Sequence, residues 1–131
     1  MRRYGFWLAV ALIATPAMAG PYLFELLQIK TYHASWNALL KGEKNVPAWI
    51  VAFGKNGDGV AGESTDIKVD GQDYVYATVC KPHDCGDNQL GVIFAAQGDG
   101  AWALLKDGDG ERFFGKPDKA MSDALESQAG Q

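Results

Sequence analysis

Leu23, Leu26, Leu27 and Lys30 open a 3.6-residue rhythm that Trp36, Leu39 and Leu40 continue. That spacing predicts helix from Pro21 to Lys41, in two pieces, with a break at Thr31 or Tyr32 and a stop at Gly42. Asn45-Val46-Pro47 marks a turn, and Ala48 to Phe53 is a short apolar segment whose periodicity does not choose between helix and strand. Gly54 to Gly62 reads as a glycine-rich loop. The rhythm then changes to alternation. Thr65–Val69 and Tyr74–Val79 read as strands joined by a turn at Asp70-Gly71, and Leu90–Ala96, Ala101–Leu105 and Glu111–Phe114 read as further strands. Pro117 is expected to begin a last helix with Met121 and Leu125 on its inner face, followed by a frayed tail from Ser127 to Gln131. Helices, then a meander, then a helix make an α+β fold: an antiparallel sheet of about five strands flanked by N-terminal and C-terminal helices.

The first residues change the picture of compartment. Arg2 and Arg3 precede an apolar run from Phe6 to Ala14, and Ala17-Met18-Ala19 matches a small-x-small processing site. Residues 1–19 are therefore expected to be a cleaved signal peptide, 20–131 a single domain, and the location periplasmic. The run is short for a membrane span and no second one follows it, so no membrane association is expected after processing. Without Arg2 and Arg3, ten basic residues face 16 acidic ones, a net charge of −6. Such a surface argues against nucleic acid and anionic membranes, and it suits a cationic partner.

Export in turn changes the reading of Cys80 and Cys85, the only two cysteines, because an oxidising compartment makes a disulfide the default for such a pair. Three readings compete for Cys80-Lys81-Pro82-His83-Asp84-Cys85. As a staple, a disulfide closing so short a ring is worth only about 2–3 kcal/mol on the chain-entropy model. As a metal site, Cys80, His83 and Cys85 lack the second ligand pair that structural zinc normally draws on, and oxidation would remove the thiolates. As a rigid recognition loop, Pro82 fixes its own φ and restricts Lys81, leaving His83 at a stiff tip.

Catalysis is the weaker class. Asp84 neighbours His83 in sequence, where side chains diverge, and no nucleophile-elbow or HExxH pattern accompanies either one. His33 falls in the helical region and is expected at the surface or its boundary. The Asp-Gly runs near 58, 99 and 109 lack the fixed acidic offsets of a calcium loop and read as hairpin turns. Trp36, Trp49 and Trp102 suit either a core or a ligand pocket. No cofactor and no metal is implied.

The loop Cys80–Cys85 resembles the signature of a known family, the periplasmic inhibitors of vertebrate lysozyme of Gram-negative bacteria. The resemblance extends to Tyr22–Leu27, Trp36–Leu40, Pro47-Ala48-Trp49-Ile50 and Phe113–Asp118, in the family's order. It implies a meandering antiparallel sheet with helices on its faces, and a non-enzymatic protein that pushes the loop into the active-site cleft of c-type lysozyme. His83 would then meet the two catalytic carboxyl groups, with Pro82 shaping the loop and Lys81 and Asp84 making flanking polar contacts. Glycosidase clefts present such a pair a few ångströms apart, and an imidazole can donate or accept on both sides. The cell's own lytic transglycosylases are the alternative target in the same mechanism. A periplasmic metal- or ligand-binding protein is the alternative from another class. Monomer and homodimer are both compatible with the sequence.

Overall fold

A computed structural model describes residues 20–131, and the expected signal peptide at 1–19 lies outside the described residues. The elements are α1 (Leu23–Leu26), α2 (Lys30–Lys41), α3 (Ala48–Asn56), β1 (Val60–Ala61), β2 (Thr65–Val69), β3 (Gln72–Cys80), β4 (Gln89–Ala95), β5 (Ala101–Asp107), β6 (Gly110–Phe114) and α4 (Lys119–Ala129). This is the expected α+β arrangement. The sheet is antiparallel with six strands, in the order β1-β3-β4-β5-β6, and β2 shares the β3 edge with β1. The strand added to the expected five is β1, two residues long and too short to alternate visibly.

Register decides which residues meet which helices. Val75, Ala77 and Val79 lie level with Phe94, Val92 and Leu90, and these with Ala101, Ala103 and Leu105. They form the face covered by α1, α2 and α3, where Trp36, Ile50, Phe53 and Phe114 complete a core. The opposite face carries Tyr76, Ile93 and Leu104 and is covered by Met121 and Leu125 of α4. Because β4 is covered on both sides, Val92, Ile93 and Phe94 are all fully buried, and its sequence reads as a continuous apolar run instead of an alternation. At about 25 cal/mol per Å² of apolar surface, two covered faces give this small chain more burial than a one-sided sheet would.

Turns follow their residues. Asp70 and Gly71 both have positive φ, 49° and 77°, the demand of the two-residue hairpin that their sequence signals. Helix α2 is tied to the β4–β5 connection, where Tyr32 Oη donates to the carbonyl of Ala96 at 2.9 Å and Ser35 Oγ donates to that of Gly98.

Several expectations need correction. The helical break falls at Leu27–Ile29, ahead of Thr31, because the Gln28 and Ile29 N–H groups close tight turns onto Glu25 and Leu26 while Ile29 is extended. Tyr32 is instead a buried anchor of α2. The ambiguous segment at Ala48 is helix and runs through Gly54 to Asn56, capped by Gly57 at φ 76°. The Asp-Gly run near 58 is therefore not a hairpin, but the exit from α3. Pro117 lies just before α4, and Asp118 is the cap, its Oδ1 accepting from Met121 N–H at 2.9 Å. The tail does not fray from Ser127: α4 continues to Ala129, which packs on the second core.

Candidate functional site

Strands β3 and β4 pair over seven residue pairs, from Tyr74↔Ala95 to Cys80↔Gln89, and the cysteine loop is the connection between them. It projects from the middle of the sheet, off its longest ladder. Cys80 and Cys85 are joined, with Cα atoms 4.9 Å apart, and no free cysteine remains among the described residues. Within the ring, Asp84 N–H donates to the Lys81 carbonyl at 3.1 Å, closing a four-residue turn. Pro82 occupies its second position and His83 its third, with φ 64°. That is the pattern of a type II turn, in which proline presets the second residue and the third must have positive φ. Histidine is among the residues that tolerate this region better than most, though not as freely as glycine.

Lys81 and His83 are exposed, whereas Pro82 and Asp84 are half-buried. The reason for Asp84 is internal: its Oδ2 accepts from Asn88 Nδ2 at 2.8 Å. Asn88 also accepts, through its backbone carbonyl, the Lys81 N–H at 3.1 Å. Beyond the disulfide a second turn, Cys85–Asp87, returns the chain to β4, and Gln89 Nε2 donates to the Cys85 carbonyl at 2.9 Å. Asn88 and Gln89 carried no weight in the sequence reading. The only signal for them was an Asp and an Asn four apart around a glycine turn, a spacing at which side chains of this kind bond locally.

The same end of the sheet carries the β5–β6 hairpin, since Gln89 pairs with Lys106 and Lys106 with Glu111. Lys106 Nζ lies 3.2 Å from Glu111 Oε1. On the other side of the loop, Val60 pairs with Cys80 and is 55% exposed. The base of the loop thus has an exposed apolar residue on one side and an ion pair on the other.

Other candidates are not brought to this loop. His33 is exposed on α2, at the surface as expected. Trp36 is fully buried, edge-on to Phe53 at 5.9 Å, while Trp102 lies on the opposite face against Tyr74 at 6.1 Å. The tryptophans therefore do not line a common pocket. Among the described residues no group of three or more His, Cys, Asp or Glu side chains is placed to hold a metal ion. No helix among them is long and apolar enough to cross a membrane.

Comparison with known proteins places this geometry. Residues 31–130 match the family model described as inhibitor of vertebrate lysozyme, a span that includes the loop and leaves Tyr22–Leu27 outside it. A Pseudomonas aeruginosa protein named inhibitor of vertebrate lysozyme is 37% identical over 92% of this chain and 87% of its own length. An uncharacterised Yersinia pestis protein is 36% identical over 70% of this chain and 57% of its own. The Escherichia coli inhibitor of vertebrate lysozyme is 30% identical over 66% of this chain and 53% of its own. With the family model matching residues 31–130 and a relative 37% identical over 92% of this chain, this protein belongs to the inhibitor of vertebrate lysozyme family.

Proposed function

We propose that this chain is exported to the periplasm, loses residues 1–19, and inhibits c-type lysozyme by placing the loop Cys80–Cys85 in the enzyme's cleft. It acts as a plug and has no catalytic role of its own. The single observation that carries this reading is the exposed imidazole of His83 at the tip of a disulfide-closed turn on the longest ladder of the sheet. Glycosidases of this kind work with two carboxyl groups a few ångströms apart. An imidazole has two ring nitrogens on opposite edges, so one side chain reaches both groups and occupies the space of the scissile bond. A loop ordered before contact loses little conformational entropy on docking, which leaves more of its contact energy as affinity. The acidic surface, with its net charge of −6 after processing, accelerates encounter with a cationic enzyme and does so most at low salt.

The test is direct. The full chain is expressed in a Gram-negative host, recovered from the periplasm, and its N-terminus sequenced; Gly20 is the expected first residue. The product is then titrated against c-type lysozyme, with g-type lysozyme and a lytic transglycosylase as comparisons. Stoichiometric inhibition of the c-type enzyme supports the reading. Full lysozyme activity at saturating inhibitor rejects it, and inhibition confined to the transglycosylase assigns the loop to the cell's own enzymes.

A further inference from the structure

The turn that carries His83 is fastened at two places that do not depend on each other. One is the disulfide, which brings the ends of the ring to a Cα separation of 4.9 Å. The other is Asn88. Its carbonyl takes the N–H of Lys81 at 3.1 Å and its carboxamide holds the carboxylate of Asp84 at 2.8 Å, so one residue grips both ends of the four-residue turn.

The two fastenings do different work. A disulfide fixes where the ring ends are, but several turn conformations share that end separation. The conformation found here puts His83 at φ 64°, a region that a residue with a Cβ enters only at a cost. Something must select it. Pro82 presets one residue of the turn, and the Asn88–Asp84 bond completes the selection, because it requires the Asp84 carboxylate on the β4 side while the Lys81 N–H points at the same residue. It is also a bond to an ionised acceptor in a half-buried setting, the stronger kind of hydrogen bond.

We propose that Asn88 is a positioning residue for the loop, holding the His83 turn in its docking shape without help from the disulfide, so that inhibition survives thiol reduction. This rests on the reading of Cys80–Cys85 as the inhibitory element. The proposal has a specific chemical signature. Asn88→Asp keeps the size of the side chain and the backbone acceptor, but sets a second carboxylate against Asp84. Two carboxylates repel and neither offers the other a donor.

Four proteins test it: wild type, Asn88→Asp, the Cys80→Ser/Cys85→Ser pair, and all three changes together. Two quantities are read in each, the backbone ¹⁵N order parameters of residues 81–85 in the free protein and the inhibition constant against c-type lysozyme. Either single class of change is expected to leave the loop ordered and to weaken inhibition by no more than about fivefold, the worth of one hydrogen bond or less. The combination is expected to lose loop order and to weaken inhibition by about a hundredfold or more, well beyond the product of the two, which is the mark of coupled restraints. A fifth protein, the cysteine-free chain with Asn88→Asp and Asp84→Asn together, puts a donor and an acceptor back across the same gap and should regain loop order, a response that a merely structural role does not give.

A cysteine-free loop as mobile as that of the combined variant would overturn the proposal, as would a simple product of the two effects. If the combined variant loses the amide dispersion of the sheet, wild type and Asn88→Asp compared with and without reductant read the same coupling. The order parameters need no enzyme. A wild type that fails to inhibit lysozyme while its loop follows the expected pattern therefore rejects the function and leaves the clamp standing.

Discussion

The loop Cys80–Cys85 and the segment Phe113–Asp118 are both six residues long, and both carry the family resemblance. In the second, the side chains that matter serve the fold, although Lys116 and Asp118 are exposed. Phe114 is fully buried, Arg112 lies over its ring at 4.6 Å, and Asp118 caps α4. Gly115 has φ 84°, and a Cβ there would stand 2.8 Å from Leu39 Cδ1 and 2.9 Å from the Ala101 carbonyl. In the loop, the tip faces outward, and its order comes from a covalent bond, a proline and one clamping asparagine. A matched motif thus has two physical meanings. One records how the chain packs; the other presents a side chain that the fold itself does not use.

Substitutions that separate stability from inhibition break or sharpen this contrast. Phe114→Ala should cost about 3–5 kcal/mol of stability in chemical denaturation, as truncation of a fully buried aromatic does. The fraction still folded should inhibit normally. His83→Ala should do the reverse, weakening inhibition by about 2 kcal/mol or more, as a central anchor does, with no loss of Tm. An unchanged inhibition constant in the folded variant would remove His83 from its role. Asp118→Ala should lower stability by about 1 kcal/mol, the usual worth of an N-cap, and leave inhibition alone.

The smallest effect concerns pH. Burial holds the Tyr76 phenol above its ordinary value of 10.0, and burial together with Asp66 does the same for Tyr32. A raised value means that the folded state keeps its proton longer than the unfolded chain. The contribution is therefore fully present below pH 10 and is lost as pH rises through the higher folded values. Tyr76→Phe should flatten part of that alkaline loss in denaturation curves measured on either side of pH 10, without moving the inhibition constant at neutral pH.

Much of the molecule was legible because local chemistry and global fold agree. Asp70-Gly71 turns where its φ preference demands, Met121 and Leu125 meet the sheet four residues apart, and Gly42 ends α2. What was not legible depended on partners distant in sequence. Ala48–Asn56 is apolar on too many sides for periodicity to speak, and it becomes helix through packing on Trp36 and the sheet. Tyr32 looked like a break because its anchor, the Ala96 carbonyl, lies 64 residues away. The tip of the site was legible, since cysteines, proline and histidine each announce a constraint. Its clamp was not, because asparagine is one of the ordinary turn residues and only the return of the chain shows what it holds.

Among the described residues, the hydrogen bonds within the His83 turn run between Lys81 and Asn88, β1 meets this span only at Cys80, and the two strands at its base meet in an ordinary antiparallel register. The ten residues from Cys80 to Gln89 are therefore a self-contained cassette. Grafted onto an unrelated protein between two antiparallel strands in the same register, they would bring their own geometry with them, and the host sheet would need to supply nothing except a rigid place to stand.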